Sequence, residues 1–208
     1  MGYKNIFYPG NIRISLGNTK VGDVSNFSLS PHIGCGPYSR FCCRICYAMK
    51  AYRQYKHVKN AWDRNLDAAK TADGCFQIYE AICAFLTKYE PELFRVHVSG
   101  DFISQQYLDT WNSIYKEFPR VSFLAFSKSF NLNFSNTPRN TKNIWSVVGG
   151  MPIDIIPKIG SRAYAGRRSD YTDIIRQGEI VRRCPGRCDT CGKCWKLKNT
   201  ESVVFPLH

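Results

Sequence analysis

LFRVHVSGDFISQQYLDTWNSIYKEFPRVSFLAFSKS, residues 93–129, decides the fold. It opens with a short β-rich run that closes on Ser99-Gly100-Asp101. SQQYLDTWNSIYKEF then repeats its apolar residues at helical spacing, with Ser104 placed as the N-cap and Pro119 as the stop. RVSFLAFSKS follows as a second strand. Strand, helix and strand in this order make a parallel βαβ unit.

The same alternation extends in both directions. Upstream, NIRISLG alternates like a strand, and VGDVSNFSLSPHIGCGPYSRFCC reads as a loop from its Gly, Pro and Ser punctuation. A helical pattern runs from Cys46 to about Lys70. A second helix starts at Asp73 and Gly74 and is stopped by Pro91. Downstream, NIWSVVGG and KIGSRAYAG read as strands joined by shorter links. The fold class expected is α/β. In parallel α/β folds, ligands collect at the C-terminal ends of the strands. The first cysteine loop, VSGD, FSKS and VVGG all fall on that rim.

The length of 208 residues suits one compact domain with a small appendage. We place the main body at residues 1–178 and a cysteine-rich tail, packed on it, at 179–208. No apolar run approaches the length of a transmembrane helix, and MGYKNIFYPGNIRISLG lacks the apolar core of a signal peptide. A cytoplasmic protein with no membrane partner is expected. The net charge of +13 favours a polyanionic partner, and RAYAGRRSD and IRQGEIVRRCPGR concentrate basic residues between 162 and 187.

Eight of the ten cysteines lie in two short groups. In a reducing compartment such groups bind metals or do chemistry more often than they form disulfides. Cys75 and Cys83 fall on a helix and read as buried thiols. The first group, GCGPYSRFCCRICYAMK, holds Cys35, Cys42, Cys43 and Cys46. Three thiolates on one loop would ligate three irons of a [4Fe–4S] cubane and leave the fourth open. Cys43 and Cys46 have C-x-x-C spacing, and Cys35 adds a third. Cys42 points away from Cys43 if the backbone there is extended. The set chosen is therefore Cys35, Cys43 and Cys46, with Cys42 in place of Cys43 as the main competitor. Zinc held by three cysteines with His32 or His57 is the other metal to weigh.

GCGPYSRFCCRICYA, RVHVSGDF, FLAFSKS and the terminal CGKCW together resemble the phage family called gene product eighty-eight, over roughly residues 10–195. The C-x7-C-x-x-C-Y-A block also resembles radical-SAM-like proteins. That resemblance implies a partial (β/α) barrel of radical-SAM type. It further implies a cluster whose open iron binds S-adenosylmethionine, and cleavage of the cofactor to a 5′-deoxyadenosyl radical. The usual spacing is C-x3-C-x2-C, and the longer first gap here departs from it. By the same resemblance Ser99, Gly100 and Asp101 stand where a turn holds the methionine amino group. Ile45 stands where a backbone meets the adenine. Lys128 stands where a carboxylate or a substrate phosphate would lie.

The second group, Cys184, Cys188, Cys191 and Cys194, has the spacing C-x3-C-x2-C-x2-C. So compact a run is closer to a ferredoxin ligand run than to a zinc ribbon, whose two knuckles lie far apart. A second [4Fe–4S] cluster is expected here, with zinc as the alternative. Two functions follow. The first is an iron–sulfur enzyme resembling radical-SAM proteins, acting on an unidentified substrate, with nucleic acid or a nucleotide favoured by the charge and an electron donor as partner. The second is a non-enzymatic, metal-stabilised phage protein that binds nucleic acid or a host protein.

Overall fold

The computed structural model describes residues 5–19 and 21–206. Its strands are β1 (Asn5–Phe7), β2 (Arg13–Ser15), β3 (Ser25–Phe27), β4 (Leu93–Val96), β5 (Ser122–Ser127), β6 (Thr141–Val148), β7 (Arg162–Ala165), β8 (Ile180–Arg183) and β9 (Glu201–Phe205). Its helices are α1 (Tyr47–Gln54), α2 (Lys56–Ala69), α3 (Ala72–Tyr89), α4 (Gln105–Glu117) and the single turn α5 (Cys188–Cys191). The strands form one nine-stranded sheet in the order β1-β2-β3-β4-β5-β6-β7-β9-β8. From β3 to β8 every neighbouring pair is parallel, and β1 and β2 add an antiparallel edge. The α/β class with a parallel sheet is thus present. β1 and β8 stand at opposite ends of the strand order.

Local signals set the long helices. The Thr71 hydroxyl accepts from the Gly74 amide at 3.1 Å and caps α3. The Ser104 hydroxyl accepts from the Tyr107 amide at 3.2 Å and caps α4. Glu90 ends α3 in the left-handed conformation, just before Pro91. Gly74 is needed for packing, because a Cβ there would come within 2.1 Å of the Ala68 carbonyl oxygen on α2.

Residues two apart on a strand face the same way, and this sorts the two faces of the sheet. Phe94, Val96, Phe123 and Ala125 join Ile78, Phe85, Trp111 and Tyr115 in the main core, so α2, α3 and α4 cover one face. The opposite face carries Leu124 and Val203, covered by Leu197, with Phe126, Cys194, Trp195 and Phe205 packed at the margin. Its cover comes from the segment between β8 and β9. The Trp195 indole donates to the Ser122 carbonyl at 2.9 Å, and the Asp189 amide donates to the Val21 carbonyl at 3.2 Å. Ser122 starts β5 and Cys184 follows β8. The cysteine-rich segment therefore runs along the sheet face that the long helices leave bare. Residues 179–208 also give the sheet β8 and β9, with β9 inserted between β7 and β8.

Candidate functional site

The loop after β3 is tied to the sheet on both sides. The Gly34 amide donates to the Ser30 carbonyl at 3.0 Å, and the Asp101 amide donates to the Gly34 carbonyl at 2.7 Å. The Ser30 hydroxyl donates to Asp63 on α2 at 2.5 Å, and the Tyr47 hydroxyl donates to the Val98 carbonyl. Gly100 has φ +88, and a Cβ there would meet Leu29 Cβ at 2.6 Å. Only glycine lets the VSGD turn press so closely against this loop.

These ties leave a cavity of about 190 Å³ at the C-terminal ends of the strands. Cys35, Cys42 and Cys46 line it from the loop, with Ile45 beside them. Ser99, Gly100 and Lys128 line it from the ends of β4 and β5. Cys184 and Cys188 line it from the tail. Two cysteine groups far apart in sequence thus share one chamber. A second cavity of about 40 Å³ lies against it and is lined by all four tail cysteines. Arg95, Phe126 and Phe205 line both cavities and form the partition between them. The Arg95 guanidinium sits 4.1 Å from the Phe126 ring centroid, and Phe205 meets Phe126 edge-on with ring centroids 5.4 Å apart.

The loop cysteines do not follow strand parity. Cys42 lies between two 3-10 turns, Pro37–Phe41 and Cys43–Ile45, with φ −113 and ψ −5. In such turns successive side chains diverge by about a third of a rotation, so only one of two adjacent cysteines faces the cavity. That one is Cys42. The Cys43 thiol lies outside the wall and donates to the Arg40 carbonyl at 3.3 Å. The set facing the chamber is therefore Cys35, Cys42 and Cys46, and the extended backbone assumed in choosing Cys43 is absent.

Asp101 also differs from its expected place. It is fully buried, and its carboxylate accepts from the Ser127 hydroxyl at 2.7 Å and from the amides of Phe102 and Lys128 at 2.8 and 2.6 Å. It clamps the end of β4 to the end of β5, behind the cavity wall. Burial raises its pKa against the pull of Lys128. The Lys128 ammonium feels burial, which lowers its pKa. The nearby Cys42, Asp101, Cys35 and Cys46 outweigh burial and hold it above its ordinary value.

The thiols are set in apolar surroundings. Burial pushes Cys35 up to about 12 against the charge of Lys128, and raises Cys42 as well. In the tail, burial pushes Cys194 up to about 12, with Arg95 opposing and Cys184, Cys188 and Cys191 adding to the rise. Deprotonating such thiols calls for a strong local positive charge, which a bound metal supplies. Among the described residues, no group of three or more His, Cys, Asp or Glu side chains is gathered tightly enough to hold a single metal ion. Both cysteine groups set thiols in cavity walls. Arg95, Arg182, Arg183, Arg187 and Lys193 line the tail cavity.

His97 lines the chamber, with its Nδ1 buried and without a hydrogen-bond partner among the described residues. Its Nε2 lies 2.9 Å from the Tyr107 hydroxyl, and burial, then the Arg95 charge, depress its pKa to about 3. The unfolded value is about 6.5, so the native state binds the proton less readily than the unfolded chain. This contribution to stability is complete above about pH 6.5. It fades as pH falls toward 3, by up to ~1.4 kcal/mol per pH unit. Urea unfolding at pH 7 and pH 5 should show a lower midpoint at pH 5, and His97→Gln should flatten that component.

The basic stretch from 162 to 187 divides in two. Arg162 is buried and donates to the carbonyls of Ile174 and Pro157 at 2.9 and 3.0 Å. Arg176 pairs with Glu179 at 3.1 Å, and Arg182 with Glu201 at 2.8 Å. These three hold loops and strands together. Arg167, Arg168 and Arg183 stand on the surface.

Comparison with known proteins then places the chain. The model of the family described as Gene product 88 matches residues 8–197, which includes both cysteine groups. The chain belongs to the gene product 88 family. It is similar to the Gene 88 protein of Mycobacterium phage D29, 26% identical over 220 residues that span 91% of this chain and 89% of that protein. It is also similar to the Gene 88 protein of Mycobacterium phage L5, 30% identical over 122 residues that span 54% of this chain and 51% of that protein. No solved structure matches the chain. The family match covers both cysteine groups, and Phe205 of the chamber wall lies beyond it. No helix among the described residues is long and apolar enough to cross a membrane.

Proposed function

We propose that this gene product 88 chain is an iron–sulfur enzyme of radical-SAM-like architecture, with its reaction chamber between two clusters. The observation that carries the reading is the shared cavity: Cys35, Cys42 and Cys46 line one side and Cys184 and Cys188 the other. Cys35, Cys42 and Cys46 would hold a [4Fe–4S] cluster with one iron lacking a protein thiolate. Cys184, Cys188, Cys191 and Cys194 would hold a second, fully ligated one. With S-adenosylmethionine on the open iron, the first cluster would supply one-electron cleavage of the cofactor.

The chain's own residues do the rest. Gly100 lets the turn approach the loop, so that Ser99 and the turn backbone meet a ligand beside the first cysteine group. Lys128 sets a positive charge against those three thiolates. Asp101 positions Lys128 by fixing its backbone rather than by touching a ligand. Val148 and Phe205 give the chamber apolar walls, and Ile45 stands at its exposed edge.

Anaerobic purification with iron and sulfide assays tests the reading, followed by electron paramagnetic resonance of the reduced protein with and without S-adenosylmethionine. About eight irons per chain, the content of two four-iron clusters, and a spectrum altered by the cofactor are expected. Iron indifferent to the cofactor would leave a structural or electron-transfer role. Zinc without iron would leave the metal-stabilised binding protein, for which the exposed Arg167, Arg168 and Arg183 offer contacts to nucleic acid.

A further inference from the structure

Among the described residues, three chamber-wall side chains hold a buried polar atom without a hydrogen-bond partner: Arg95 at Nε, His97 at Nδ1 and Ser99 at its hydroxyl. Arg95 is 9% exposed, its Nε makes no hydrogen bond, and among the described residues no carboxylate lies within ion-pair distance of it. A guanidinium stays charged at any ordinary pH, so burial cannot neutralise it. Its stack on Phe126 supports it on one face only. Ser99 is 4% exposed, and its hydroxyl is buried without a partner. Groups of this kind are paired in folded proteins, and the exceptions call for an explanation.

Arg95 borders both cavities, so its charge alone fits either the tail thiolates or a chamber ligand. Ser99 decides between them, because it lines the chamber and is absent from the tail cavity. We propose that the chamber binds the oxyanion of a small molecule, a phosphate or a carboxylate, on Arg95 and Ser99. The remaining wall on that side is mostly apolar, from Val148, Ala163, Ala165 and Phe205, with Ser146 among them. A few convergent polar donors in an apolar cavity are the pattern of a small-molecule site. At about 190 Å³ the cavity is below the ~300–1,000 Å³ common for drug-sized ligands. The ligand is therefore compact, with an anionic head and an apolar body, and a nucleic-acid duplex does not enter. The proposal rests on reading the chamber as a ligand site and needs neither cluster.

The test is calorimetric titration of the full chain with inorganic phosphate at physiological salt. A parallel titration with acetate separates the two sources of the oxyanion. Iron is assayed in every sample, so that failure of the cluster reading registers separately. Saturable binding of one of the two anions is expected. Arg95→Met should weaken it about tenfold or more, the scale of a lost charged hydrogen bond, and Arg95→Lys should weaken it less. Ser99→Ala should weaken it several-fold with full iron. If Arg95→Met also sheds iron, Ser99→Ala decides, since Ser99 lies outside the small cavity that all four tail cysteines line. The proposal is overturned if neither anion binds saturably, or if binding is the same in Ser99→Ala as in the native chain.

Discussion

Cys191→Ser is expected to lower bound iron from about eight to about four per chain, and to free the tail for proteolysis between β8 and β9. Cys191 lines the small cavity and not the chamber, so this variant touches the tail group alone. The helix turn that carries it is four residues long, well below the length that holds a helix in water. The segment has few apolar anchors of its own, chiefly Leu197 and the half-buried Trp195. Metal binding to a structural cysteine site is worth about 10–16 kcal/mol in small zinc domains, as much as the whole stability of an ordinary domain. The effect also reaches the sheet, because β9 pairs with both β7 and β8. Limited proteolysis with metal analysis reads both consequences. A Cys191→Ser chain with full iron and native protease resistance would show that the tail does not depend on a metal. Zinc in place of iron would preserve the folding effect and remove the second cluster from the proposed function.

What the sequence made legible was whatever depends on short-range rules. The cap at Ser104, the stop before Pro119 and the strand in RVSFLAFSKS appear in the structure as α4 and β5. The parallel βαβ reading placed the cysteine loop, VSGD and FSKS on one rim, and the cavity lies there. β3 was hidden inside a stretch read as loop. Its residues Ser25, Asn26 and Phe27 are all buried, and two of them are polar, so no alternation marks them. β8 and β9 were hidden because their pairing is long-range: a strand of basic residues becomes part of the sheet only when Glu201–Phe205 lies beside it. The unpaired Arg95 carried no signal either. It sits in a strand run, and only the fold shows that, among the described residues, no carboxylate comes to meet it. Asp101 was legible as a special position but not in its role. Strand-end acidic residues serve ligands or clamp backbones, and the contacts from Ser127, Phe102 and Lys128 make it a clamp.

Cys42→Ser should abolish the first cluster, halving the iron and removing any spectral response to S-adenosylmethionine, while Cys43→Ser should leave both intact. The two residues are adjacent, so composition and net charge of the variants are the same, and only direction distinguishes them. The Cys42 amide donates to the Ser39 carbonyl at 3.0 Å, and its carbonyl accepts from the Ile45 amide at 3.1 Å. These bonds join the two 3-10 turns at Cys42 and place it on the chamber wall that Lys128 also lines. Exchanging the two cysteines would require the backbone to change where the two turns meet at Cys42. If Cys43→Ser removes the cluster instead, the loop must rearrange when metal binds, and C-x7-C-x-x-C is the working spacing. If Cys42→Ser removes it, the ligands are spaced C-x6-C-x3-C. The last two then match the first gap of the usual radical-SAM run, with the long gap moved ahead of it. A spacing so altered still leaves one iron without a thiolate, because what opens the fourth iron is the number of cysteines facing the cavity rather than their order along the chain.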